Sequence, residues 1–93
     1  MTTRITRAFI DAKADTINRM TNSPVESSRM VDGKWTANVG NYHISCAYGG
    51  YSLHRMVTEG GGARDVFDCG HIPARQLAAL MSAYTTGLYD ATR

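Results

Sequence analysis

The sequence predicts an α+β domain: an antiparallel β-meander of three to four strands with N- and C-terminal helices packed on one of its faces. Three features carry that expectation. Apolar residues recur at helical spacing near both ends, they alternate with polar residues in the middle, and Gly-Asn and Gly-Gly pairs punctuate the alternating part. The chain has 93 residues, enough for one domain and too few for two independent cores. Its 43 % hydrophobic and 19 % charged content is that of a globular chain rather than a disordered one.

The first helix is expected over about residues 3–20. Phe9, Ile10, Ile17 and Met20 fall near one face, the stem of Lys13 bridges the gap, and Thr3 is placed to cap the N-terminus. Pro24 disfavours helix at Ser23, so the helix stops at Thr21-Asn22-Ser23, and residues 21–33 read as a linker.

The meander is expected over about residues 34–69. Trp35, Ala37 and Val39 alternate with Lys34, Thr36 and Asn38; Tyr42, Ile44 and Cys46 alternate with His43, Ser45 and Ala47. A two-residue turn at Gly40-Asn41 pairs Val39 with Tyr42, Ala37 with Ile44 and Trp35 with Cys46, all on one apolar face. Gly49-Gly50 repeats the device between Tyr48 and Tyr51, opening a third strand of about residues 51–58. Its apolar phase shifts between Leu53 and Met56, which predicts a bulge near His54-Arg55 or an early end to pairing. Glu59-Gly60-Gly61-Gly62 reverses the chain into a short strand from Arg64 to Cys69.

The second helix, about residues 73–86, starts near Pro73 and places Leu77, Leu80, Met81, Tyr84 and Leu88 along one stripe, with Gly87 as a left-handed C-terminal cap. The element order is α-β-β-β-β-α, a two-layer sandwich. The sheet face away from the helices would carry His43, Ser45 and His54.

The chemistry-bearing residues form no specific signature. His43, His54, His71, Cys46 and Cys69 are the residue types that bind metals, but no Cys-x-x-Cys or His-x-x-x-His spacing occurs. Gly60-Gly61-Gly62 lacks the Lys-Ser/Thr of a P-loop and leads into a strand, so a chain reversal accounts for it. Cys69, His71 and Asp68 contain the types of a nucleophilic site, yet sequence neighbours seldom converge in the needed geometry. No catalytic residue, cofactor or metal ligand is assigned, and the chain is expected not to be an enzyme.

Net charge is +2, too mild to announce a nucleic-acid binder, although residues 1–34 hold six basic side chains against four acidic ones. A nucleic-acid reading would use Arg4, Arg7, Lys13 and Arg19. No apolar run is long enough to span a bilayer and the N-terminus shows no secretory h-region, so a cytoplasmic protein with reduced cysteines and no membrane partner is expected.

The run Asn38-Val39-Gly40-Asn41-Tyr42 through Ala47-Tyr48-Gly49-Gly50 to His54, followed by Gly60-Gly61-Gly62-Ala63-Arg64-Asp65-Val66 and the helix from Ala74 to Leu88, resembles small uncharacterised proteins of tailed bacteriophages. The resemblance spans about residues 35–88 and carries over no functional residue. It implies a phage or prophage gene expressed in the bacterial host cell. The function it suggests is an accessory protein that binds a host protein as a non-catalytic inhibitor or modulator, in host takeover or anti-defence. Tyr48, Tyr51, His43, His54 and Arg55 are the expected contact residues. A nucleic-acid module and a self-associating structural protein, such as a homodimer paired through a sheet edge, are the alternatives.

Overall fold

The computed structural model describes residues 5–91. The fold is α+β, in the order α1 (Arg7–Met20), β1 (Ser28–Val31), β2 (Lys34–Ala37), β3 (Tyr42–Ala47), β4 (Gly50–Met56), β5 (Ala63–Asp65) and α2 (Ala74–Ala91). Its strands form two antiparallel sheets, a β1–β2 hairpin and a β3–β4–β5 meander, where a single meander was expected.

α1 begins at Thr6, whose Oγ1 accepts a hydrogen bond from the Phe9 N–H at 3.2 Å; the expected cap, Thr3, lies outside the described residues. The buried face is Ile10, Ala14, Ile17 and Asn18, while Phe9 is half exposed beneath the Lys13 ammonium. The helix ends as expected around Thr21. Asn22 adopts a left-handed φ of 56°, and the Ser23 N–H reaches back to the Asn18 carbonyl at 2.7 Å, a Schellman closure with Asn in the place glycine often takes.

The segment expected as a linker contains β1. Asp32 (φ 50°) and Gly33 (φ 77°) are both left-handed and form the two-residue turn that joins β1 to β2, with Val31 opposite Lys34. β2 therefore pairs with β1, not with β3. The Gly40-Asn41 hairpin does not form: the Gly40 N–H donates to the Met56 carbonyl, and the Met56 N–H to that of Asn41, both at 2.8 Å. The other edge of β2 is used at Ala37, whose N–H donates to the Glu59 carbonyl at 3.0 Å. Two asparagines fix this divergence. The Asn38 side chain donates to the Glu26 carbonyl, and that of Asn41 to the carbonyls of Pro24 and Val25.

The β3–β4 turn is Tyr48-Gly49 (φ 54° and 74°), one residue earlier than expected, so Cys46 faces Tyr51 and Tyr42 faces Arg55. β4 pairs one-to-one with both neighbours and carries no bulge; of the two outcomes expected there it shows the other, ending early at Met56 rather than at about residue 58. The phase shift has another cause: Leu53 joins the core beneath the helices, whereas Met56 is buried beside Ala37 and Trp35 of the hairpin. β5 is shorter than expected. The Asp65 carboxylate accepts from the N–H groups of Phe67, Asp68 and Gly70 and folds the chain into a turn in place of further strand. The chain then returns to β4, with Ile72 and Tyr51 exchanging both backbone bonds.

α1 packs on β3, α2 on β4, and the helices on each other. The core between them is Ile10, Ala14, Ile17, Tyr42, Ile44, Leu53, Leu77, Ala78 and Met81. Of the apolar face expected on the first hairpin, Ala37, Tyr42 and Ile44 are buried, but Trp35 (71 % exposed), Val39 and Cys46 are not. In α2, Leu80 turns outward, and Gly87 lies inside a helix that continues to Ala91 because Leu88 still packs on the core one turn after Tyr84.

Fully buried Asn18 ties α1 to β3: its Nδ2 donates to the Tyr42 carbonyl at 2.9 Å and its Oδ1 accepts the Tyr42 N–H at 2.7 Å. Asn18→Leu leaves both backbone groups buried without partners and is expected to destabilise the fold by about 2–3 kcal/mol. Trp35→Ala, at a side chain outside the core, is expected to change stability by no more than about 0.5 kcal/mol. Urea unfolding of the two variants checks both values, and a larger loss for Trp35→Ala would place that ring in the core.

Candidate interaction surfaces

Two surfaces lie outside the helix-covered core. The first is the sheet face opposite the helices. Because His43 and His54 are directly paired across β3 and β4, their side chains project together, with ring centroids 5.9 Å apart. His71 extends the row: it stands 5.9 Å from His54, its Nε2 is 3.0 Å from the Ser45 Oγ, and Tyr48 lies edge-on to it at 6.1 Å. His71 can cross the sheet here because Gly50 lies beneath it; a Cβ on Gly50 would meet the His71 carbonyl carbon at 2.9 Å.

Asp65 sits at the rim, opposite His54 on β5. Burial pushes its carboxyl up, but the N–H groups of Gly70, Phe67 and Asp68 that donate to it hold it below the ordinary carboxylate value. Burial lowers His43, and the adjoining His54 imidazole lowers it further.

The expected contact residues are thus separated by the fold. Tyr48 is 99 % exposed at its turn, while Tyr51 faces the other way and packs half-buried on the core. Arg55 lies over the Tyr42 ring at 4.8 Å and its Nε donates to the Gly40 carbonyl, so it braces the end of the sheet. The Tyr42 hydroxyl meets that of Tyr84 at 2.8 Å; burial and this bond push its pKa up to about 12.

Among the described residues, no group of three or more His, Cys, Asp or Glu side chains is arranged to hold a metal ion. Cys46 and Cys69 are free thiols. Burial, with Asp65 next, pushes the Cys69 thiol up and away from thiolate chemistry, and His71 is engaged by Ser45. Of the basic residues considered for nucleic acid, Arg4 lies outside the described residues and Arg7 pairs with Asp11 at 3.4 Å while donating to the Cys46 sulfur. Arg7, Lys13 and Arg19 are six residues apart in turn, which sets them about 120° apart around the helix rather than in one stripe.

The second surface was not expected from the sequence. Met30 and Trp35 are directly paired on one face of the β1–β2 hairpin and are 54 % and 71 % exposed. Behind them a groove of about 280 Å³ runs between Ser28, Trp35, Ala37, Met56, Glu59 and Gly60. Arg29, Val31, Lys34 and Thr36 occupy the opposite face. The signal that could have revealed it is Asp32-Gly33, a hairpin dipeptide flanked by two four-residue runs of strand-compatible residues.

Both His43 and Asp65 have pKa values depressed by folding. Their contributions are whole above the unfolded values and are lost as pH falls, from about 6.5 downward for the histidine and from about 4 downward for the aspartate. The unfolding free energy is therefore expected to fall between pH 7.5 and pH 5, and His43→Gln to flatten that slope. Urea titrations at the two pH values measure it; an unchanged slope in the variant would assign the loss to another group. Comparison of the chain with known protein families, curated proteins and solved structures gives no match.

Proposed function

We propose that this is a small phage-encoded accessory protein that binds a host protein in the bacterial cytoplasm as a non-catalytic inhibitor or modulator, with the β1–β2 hairpin as its contact surface. The observation that carries the reading is the pair Met30–Trp35: a tryptophan left 71 % exposed, with an exposed methionine directly across from it. Tryptophan is the residue type most enriched where binding energy concentrates, and an isolated two-stranded hairpin is marginally stable without further cover. In support, the Trp35 ring adds little to the core, and the groove beside it extends the apolar surface inward to Met56. The acidic residues interleaved among the first-helix cations favour a protein over a nucleic acid as the ligand.

Capture from nuclease-treated bacterial lysate with the tagged wild-type chain and with Trp35→Ala tests the reading. It expects one host protein retained in stoichiometric amount by the wild type and reduced at least about tenfold by the variant, as for loss of a binding hot spot. Retention that vanishes with nuclease, or that is equal for the folded variant, would overturn it.

A further inference from the structure

We propose that the outer edge of β1 takes up an extended strand of the partner protein, one whose residues alternate between apolar and acidic; this rests on the reading of the hairpin as the contact surface. The hydrogen-bonding phase of the hairpin shows which backbone groups are open. A two-residue turn makes Val31–Lys34 a bonded pair, so Arg29–Thr36 is the next and Ser27–Asn38 the one after. The Asn38 N–H does donate to the Ser27 carbonyl, at 2.9 Å. Ser28 and Met30 are consequently the non-bonded positions, and their N–H and C=O groups point away from β2. The same phase points Ala37 outward on the other edge, where its N–H meets Glu59. No described residue takes the corresponding groups of Ser28 and Met30, so β1 presents two donors and two acceptors in strand spacing.

The side chains flanking that edge define what would lie there. On one face stand Met30 and Trp35, and an added strand would set every second side chain beside them. On the other face stand Arg29 and Lys34, neither of which is in an ion pair among the described residues. Arg29 donates to the Asn38 Oδ1, which holds its guanidinium on that face. An incoming strand therefore meets an apolar strip on one side and, on the other, Arg29 and Val31 of β1 with Lys34 directly across from Val31 on β2, a face whose two charges are both positive and without an ion-pair partner among the described residues.

A second copy fits this edge poorly. Antiparallel pairing centred on residue 29 sets the Arg29 of one copy directly against the Arg29 of the other, a like-charge contact in the closest cross-strand position. Centring on Met30 brings Ser28 opposite Asp32, which is left-handed and cannot continue a ladder. Centring on Ser28 requires the Glu26 carbonyl, which already accepts from Asn38 at 3.0 Å.

The test uses fluorescein-labelled nonapeptides of alternating Val and Glu or of alternating Val and Lys, followed by anisotropy and by amide shifts in 15N-labelled protein. The Val-Glu peptide is expected to bind at least about tenfold more tightly than the Val-Lys peptide and to shift the Ser28 and Met30 amides most. Ser28→Pro removes one outward N–H without touching a β1–β2 bond and is expected to weaken binding by about tenfold. Arg29→Glu with Lys34→Glu should reverse the peptide preference. Equal binding of the two peptides, no binding of either, or unaltered binding by folded Ser28→Pro would overturn strand addition. So would a dimer in sedimentation that Ser28→Pro dissolves, which would put a second copy at this edge. If Trp35→Ala abolishes capture of the host protein while Ser28→Pro leaves it intact, strand addition fails and the hairpin reading stands.

Discussion

The side-chain amide of Asn18 presents one donor and one acceptor, and both are spent on the backbone of Tyr42. It thus does for the start of β3 what a neighbouring strand would otherwise do, and it does so from a helix. Tyr42 is consequently anchored on three sides. Its backbone is held by α1, its ring lies under Arg55 of β4, and its hydroxyl meets Tyr84 of α2, where Phe67 also packs edge-on. The remaining apolar core residues fill the space these contacts define, and the helices cannot shift along the sheet without breaking buried polar bonds.

That anchoring also explains why β2 and β3 part company. The Asn41 side chain binds the carbonyls of Pro24 and Val25, and that of Asn38 the carbonyl of Glu26, so the approach to β1 is held close to the turn before β3. β1 is then in place to pair with β2 through the Asp32-Gly33 turn. The hairpin that results touches the rest of the molecule at its base, through Ala37, Met56 and Glu59, and carries Met30 and Trp35 beyond it. A side chain that would have been central to a continuous sheet becomes the most exposed large hydrophobic residue of a smaller one. The apolar face and the open edge of β1 are two consequences of that single divergence.

On the other side of the meander, the segment after β5 is held by Asp65, by the Tyr51–Ile72 bridge and by His71 lying over Gly50. The three histidine rings there pack in a row, and the lowered pKa of His43 reflects burial first and the adjoining His54 second. The expected interaction residues of this face divide accordingly. Tyr48 stands exposed at its turn beside His71, the histidines are packed against one another, and Arg55 and Tyr51 serve the fold.

The helices, the strands of the later meander and the reversal at Gly60-Gly61-Gly62 were legible in the sequence because each depends on local spacing and on turn chemistry within a few residues. The α+β class follows from those features alone. Where each strand finds its neighbour does not. The alternation through Trp35, Ala37 and Val39 is compatible with pairing on either side. The choice was made by Asn18, Asn38 and Asn41, whose bonds join residues 12 to 24 positions apart. A polar side chain in a sequence does not announce whether water or a distant carbonyl will satisfy it. The tertiary structure decided that, and with it decided that Trp35 would stand outside the core.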